Sequence, residues 1–415
     1  MIRLIHDRRV LRAGRMLGLA GLLLLLAGCN VPPPQKGANV VTPSLWLMTV
    51  GGGAHSLGIQ SIGSASGTLW SWGDNTYGQL GDGTTTSHLT PAQIGTFSDW
   101  VYVAAGQRHS IGLRSSNGVT TLWAWGDNTY GQLGLGTQGA PVLVPTQEIT
   151  GSGSWNGLPG VSGFVAAGCY HTLALAANGA LYSWGANDFG QLGSGAAGGS
   201  QAFPTQVDPV FLYSQIAAGC THSLGVRTTG AAVAWGDNSQ GQLGNGTFTS
   251  TSTPGAVTTL TSAVIGIAAG ENFSLAIYQN PPPSTSQLWA WGYNLYGQLG
   301  DGTTTSHNVP TLVKGATNWL RVAAGQNHGM GVRTDGTAWV WGRNDVFQLG
   351  DGTAIDRYAA IPALPNAGTI LQMAAGANHT LAGTALAAVF DWGQNDKGQL
   401  GDGTTLSRST PKALP

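Results

Sequence analysis

The stretch Trp72-Gly73-Asp74-Asn75-Thr76-Tyr77-Gly78-Gln79-Leu80-Gly81 returns six more times along the chain. Its tryptophan recurs at Trp125, Trp184, Trp235, Trp291, Trp341 and Trp392, at spacings of 53, 59, 51, 56, 50 and 51 residues. Upstream of each copy lies a second signature, clearest in Ala104-Ala105-Gly106-Gln107-Arg108-His109-Ser110. The histidine's place is taken elsewhere by His55, His171, His222, Phe273, His328 and His379. Downstream comes a proline with apolar company, as in Pro91-Ala92-Gln93-Ile94 and, last, Pro411-Lys412-Ala413-Leu414. A period near 50 residues belongs to propellers and arrays, whose units bury their apolar faces only against neighbours.

Each unit reads as four short strands. In the second, Trp100–Ala105 is apolar, and His109–Leu113 and Leu122–Trp125 alternate or run apolar. A proline then opens a fourth strand at Pro145-Thr146-Gln147-Glu148-Ile149, which suits an outer edge where no ladder donor is needed. No segment sustains a helical period. The chain is therefore expected to be all-β, with residues 44–415 forming a seven-bladed β-propeller of four-stranded antiparallel blades. The units run in phase from Trp46 to the last proline-led strand, so blades one and seven are expected to pack face to face.

Composition agrees. Of 415 residues, 66 are glycine and only 8% are charged, against about a quarter in ordinary soluble proteins. With 42% hydrophobic residues and 15 tryptophans, glycine here punctuates short elements rather than loosening the chain. A net charge of −1 argues against a nucleic-acid partner, since neutralising phosphates takes clustered Lys and Arg.

Seven matches to W-G-x-N-x-x-G-Q-L-G and A-A-G-x-x-H-S-L across residues 44–415 resemble the regulator of chromosome condensation type of seven-bladed propeller. That resemblance implies protein recognition across one propeller face. Members of the family include an exchange factor for a nuclear GTPase and a secreted bacterial inhibitor of β-lactamases.

Repetition lets the chain act as its own control, because residues present in every unit serve the scaffold. The tryptophans read as wedges between blades. Asn75 and its counterparts Asn128, Asn187, Asn238, Asn294, Asn344 and Asn395 read as left-handed turn residues or loop staples. The repeated histidines fit one structural hydrogen bond per blade better than a metal site, since no carboxylate or thiol recurs beside them. Asp82, Asp301, Asp351 and Asp402 in D-G-T turns offer single carboxylates where calcium takes several oxygens. No metal and no cofactor is expected. Cys169 and Cys220 hold one repeat position in adjacent units. In an oxidising compartment a disulfide between them is permitted, with two buried thiols as the alternative.

Positions that vary between units are where a partner is read. Strand direction puts the first and third turns of every blade at one end. The first turns carry Arg108, Tyr170, Glu271, Asn272 and Asn327, and the third turns carry Tyr77, Tyr130, Phe189 and Tyr296. Aromatics with an arginine are the material of interface hot spots; local packing of the Gly-Gln-Leu-Gly loop is the competing explanation. The inserts Ile149–Gly163 and Gln279–Gln287 read as flexible loops at the opposite end.

The first thirty residues form an address. Five arginines precede the 13-residue apolar run Met16–Gly28, too short to span a bilayer but right for a signal peptide. Leu26-Ala27-Gly28-Cys29 resembles a bacterial lipobox, which implies lipidation of Cys29 after removal of residues 1–28, with residues 29–43 as the lipidated cysteine and tether. The expectation is a monomeric, non-enzymatic lipoprotein of the bacterial cell envelope, at the outer membrane or cell surface. The lipid is its only membrane contact, and its propeller face binds a macromolecule, foremost a protein. A carbohydrate-active or polysaccharide-binding propeller, or an inhibitor of a secreted enzyme, is the alternative. No G-x-S-x-G, metal cluster or distinctive acid pair supports catalysis.

Overall fold

The computed structural model describes residues 45–148, 155, 164–279, 285–364, 368–386 and 388–414. The segment expected to be signal peptide, lipidated Cys29 and tether lies outside the described residues. The described residues form 28 strands and no helix. In blade 1, β1 (Trp46–Gly51), β2 (His55–Ser61), β3 (Gly67–Gly73) and β4 (His88–Gln93) pair antiparallel in chain order. Six further blades repeat this order, ending with Ile370–Ala375, His379–Thr384, Val389–Gly393 and Arg408–Ala413. A single pair, Gly67 with Trp100, joins the sheets of blades 1 and 2. The first strand of each blade lines a central channel. The first and third turns lie at one end of the wheel, here the front; the second turns and the links between blades lie at the rear.

Buried tryptophans hold blade to blade. All seven repeat tryptophans are fully buried. Each removes roughly 150–250 Å² of surface from water, at ~25 cal/mol per Å² about 4–6 kcal/mol apiece. Their indoles are satisfied across the seams: Trp125 Nε1 donates to the Gln79 carbonyl at 2.9 Å, and Trp341 Nε1 to the Gln298 carbonyl at 2.9 Å. The same carbonyl usually accepts a hydroxyl, as from Ser110 at 2.8 Å. Closure needs no exchanged strand. Trp72 Nε1 and Ser56 Oγ both donate to the Gln399 carbonyl at 2.9 Å, so blade 1 meets blade 7 face to face through the bonds used at the other seams.

The histidines complete these seams. His55 Nε2 meets Ser110 Oγ of the next blade at 3.0 Å, and His109 meets Thr172, His171 Ser223, His222 Ser274 and His328 Thr380 within 3.1 Å. His379 meets Ser56 at 2.9 Å and closes the circuit. Each hydroxyl donates its proton to a glutamine carbonyl, so it must accept from Nε2–H, which fixes the tautomer. The opposite nitrogen, Nδ1, is buried with no partner among the described residues. Burial accordingly lowers the imidazole pKa from 6.5 to about 3 in His55, where neighbouring His379 adds to the effect, and to about 4 in His109. The expected hydrogen bond per blade is present in six of seven.

Blade 5 carries Phe273 in the histidine's place, and the hydroxyl's place across that seam is Gly329. A Cβ on Gly329 would meet the Trp341 ring at 2.4 Å, so no hydroxyl fits there. Donor and acceptor are lost together.

Glycine in A-A-G is forced by close approach. A Cβ on Gly106 would sit 2.5 Å from the Gly168 carbonyl of the next blade and 2.3 Å from the His109 ring. The asparagines prove to be staples rather than left-handed residues. Asn75 Oδ1 accepts from Leu80 N–H at 2.9 Å, while its Nδ2 donates to the Thr84 and Thr86 carbonyls at 3.1 Å. Asp82 is turn chemistry too, its Oδ1 accepting from Thr84 N–H at 2.8 Å.

Two expectations need correction. The fourth strands are not opened by proline: β4 starts at His88, and Pro91 lies inside it, where the register slips between Ser71 and Gly73. A bulge, like an edge, spares the missing N–H. The insert at residues 149–163 is not merely a flexible loop. Its Trp155 is buried, bridges Ala176 and packs 6.0 Å from the Trp184 ring, as Trp100 packs 6.0 Å from Trp125 one blade earlier. It fills the slot left by the short first strand of blade 3, Val165–Ala167. Most of the Gln279–Gln287 insert lies outside the described residues.

Candidate functional site

The front end of the channel opens as a funnel of about 270 Å³, walled by the glycines and alanines of the A-A-G turns. Gln107, Tyr170, Glu271 and Gln326 stand at its lip. Cys169 and Cys220 are joined by a disulfide there, with Cα atoms 4.4 Å apart. Equivalent turn positions on adjacent inner strands come that close near the axis, which brings the two sulfurs into bonding range.

The third-turn aromatics stand around this lip and pair with neighbouring blades. Arg108 Nη1 donates to Tyr77 Oη at 2.9 Å, and its guanidinium lies 4.5 Å above the same ring. Tyr130 meets Tyr170 edge to face at 5.4 Å. Tyr296 is flanked by Tyr293 at 6.3 Å and by the Arg343 guanidinium at 4.7 Å. Tyr130 and Phe189 remain exposed, at 38% and 45%, whereas Tyr77, Tyr170 and Tyr296 are half-buried. Local packing and partner recognition are thus not exclusive: ring–ring and ring–guanidinium contacts set side chains whose outer faces stay open.

The polar candidates divide. Glu271 and Asn272 are half-buried at the lip. Asn327 is only 6% exposed, accepts from Gln298 Nε2 at 3.1 Å and reaches Glu271 Oε2 at 3.5 Å. It positions Glu271 rather than offering a surface of its own. Burial, then the neighbouring Tyr296 and Glu271, raises the Tyr293 phenol above its ordinary pKa, so it stays a neutral donor.

Sequence reasoning missed Tyr293, Arg343 and the 57% exposed Leu295. The first two follow Trp-Gly directly, where other units hold Asp74, Asp127, Ala186, Asp237 and Gln394. That position varies as much as the third turn, and its variation was the available signal. Asp391 was also passed over: its repeat-mates are Ser71, Ala124, Ser183, Ala234, Ala290 and Val340. Burial raises its carboxyl to about 8 although Arg408 lies 3.2 Å away. It sits inside blade 7 rather than in the funnel. Among the described residues no three His, Cys, Asp or Glu side chains gather as a metal-holding group.

A closed wheel with a repeated scaffold and a variable front end is a repeat propeller. The chain belongs to the RCC1 family: the family described as RCC1-like domain matches residues 157–415, and the regulator of chromosome condensation (RCC1) repeat matches 66–113 and 121–175. It is 29% identical over 391 residues to the ultraviolet-B receptor UVR8 of Arabidopsis thaliana, covering 92% of this chain and 84% of that one. It is 31% identical over 294 residues to the human E3 ubiquitin-protein ligase HERC2, covering 67% of this chain but only 6% of that protein. In solved structures its fold is similar to Prp20p of Saccharomyces cerevisiae, with TM-score 0.73, 23% identity and coverage of 84% of this chain and 86% of that one. Human WBSCR16 matches at TM-score 0.73 and 22% identity, over 85% of this chain and 94% of the other.

Proposed function

We propose that this chain is a lipid-anchored lipoprotein of the bacterial envelope whose front face binds a protein partner. The observation that carries the reading is the contrast between a repeated scaffold and a variable front. Tyr130, Phe189 and Leu295 are exposed there, and Arg108 and Arg343 lie over tyrosine rings. Pre-positioned aromatics lose little conformational freedom on binding, which favours them as anchors. Prp20p has binding properties toward Gsp1p and histones, and yeast RCC1 has been solved bound to Kap60. Those partners belong to those proteins; the use of a propeller to hold a protein is what transfers. Membrane attachment rests on Leu26-Ala27-Gly28-Cys29 and the apolar run before it.

The test is affinity capture from the native envelope with the anchored protein, compared with a Tyr130→Ala/Phe189→Ala/Tyr296→Ala variant. Loss of a hot-spot aromatic costs about 2 kcal/mol or more, so recovery of a specific partner should fall at least tenfold while the circular dichroism spectrum stays unchanged. Equal recovery overturns the front-face assignment.

A further inference from the structure

The rear end of the wheel differs from the front in charge, and it carries exposed aliphatics of its own. In six blades the first strand carries a register slip after its opening residue. The bulged residue leaves the ladder at the rear mouth of the channel. In blades 5, 6 and 7 that residue is Ile265, Leu320 and Leu371, exposed at 38%, 50% and 52%. In blade 1 the bulged residue, Leu47, is half-buried, and Leu45 just before β1 is 45% exposed beside it. Blade 4 has Ser214 instead, and in blade 2 Val101 is buried, so at the channel mouth the apolar arc covers consecutive blades, while farther out Val210 and Leu212 are exposed in the link before blade 4.

Rear acids are neutralised. Asp99, Asp208 and Asp335 form ion pairs with Arg114, Arg227 and Arg333 at 2.7, 2.9 and 2.9 Å. Arg321, next to Leu320 on blade 6, lines the rear mouth of the channel, is exposed and has no acidic partner among the described residues. The front loops are the reverse, with Asp74, Asp127, Asp188, Asp237, Glu271, Asp345 and Asp396 set against Arg108, Arg343 and Lys397.

We infer that the rear face rests on an anionic lipid bilayer, with Leu45, Ile265, Leu320 and Leu371 as its apolar contact and Arg321 facing the phosphates. The inference builds on the lipid-anchor reading and specifies how an anchored wheel sits. β1 begins at the rear, so the chain enters the wheel on the side of the arc. Exposed aliphatics beside an unpaired cation suit the headgroup boundary, and the acidic front is repelled from it. A bilayer thus matches the rear face in charge as well as apolarity, and leaves the front free for its partner.

The experiment uses the processed lipoprotein in vesicles of phosphatidylglycerol and phosphatidylethanolamine, with a fluorophore at Leu371→Cys or, separately, at Phe189→Cys. Spin-labelled lipids should quench the Leu371 site at least about threefold more than the Phe189 site, and Arg321→Glu should reduce the difference. Equal quenching, no quenching at Leu371, or protection of that site only when envelope proteins are added overturns the proposal. The mass of the Cys29 peptide is read in parallel. An unacylated cysteine sinks the anchor and this inference together, whereas an acylated one with an unquenched Leu371 probe sinks only the inference.

Discussion

His55 and its five counterparts keep a neutral imidazole in the native protein, and that has a signed consequence for stability. Each pKa falls from 6.5 to about 3 or 4 on folding, burial being the largest cause. The unfolded chain takes up these protons below pH 6.5 while the native chain resists. The stabilisation is complete above 6.5 and is lost as pH falls from there toward 4, by up to ~1.4 kcal/mol per pH unit for each histidine. Thermal melts from pH 7.5 to 4.5 should show a steep loss, with proton uptake on unfolding approaching one per histidine; a flat profile would refute the neutral burial of these imidazoles. Phe273 supplies the converse. A Phe273→His imidazole would face Gly329 with no hydroxyl to bond, leaving a buried polar group unsatisfied at a cost of about 1–3 kcal/mol. Urea titration should find the variant less stable, although it restores the repeat's consensus.

Within a blade, the packing partners follow volume. A Cβ on Gly112 would meet the Trp100 ring at 2.4 Å, and on Gly331 the Trp319 ring at 2.5 Å. Where the first strand opens with the smaller Val264 or Ile370, the glycine's place is held by Ala276 or Ala382. Gly112→Ala should therefore cost about 1–3 kcal/mol by overpacking, seen as a lower denaturation midpoint with unchanged slope, whereas Ala276→Gly should cost less. Elements of this kind were legible in the sequence because they recur: seven copies of Trp-Gly and six of A-A-G, with Val50-Gly51-Gly52 in the first unit, expose strand count, turn chemistry and blade order. What escaped was what one copy does alone. Trp155 replaces a strand residue from within an insert, and Asp391 lies where six mates are small or apolar; a periodic pattern carries no trace of either. The front ring was legible as to place. Which of its members stay open was not, because exposure of Tyr130 and burial of Asn327 depend on neighbours a blade away in sequence.

At the scale of the wheel, the seams are unequal. Six carry the histidine–hydroxyl link, the seam between blades 5 and 6 lacks it, and that between blades 3 and 4 adds the Cys169–Cys220 bridge, which spans 51 residues. Reduction, or Cys169→Ser/Cys220→Ser, removes a cross-link that limits the unfolded chain and should cost about 2–4 kcal/mol. Denaturation with and without dithiothreitol measures it, and coincident curves would show the bridge to be energetically idle. The absence of an exchanged strand reaches further. Since every sheet is made from one uninterrupted run of chain, a nascent or translocating polypeptide can complete its blades in the order they emerge, each waiting only for the next. Just one junction, where His379 reaches Ser56, must await the far end of the molecule, so circularisation is the closing act of maturation.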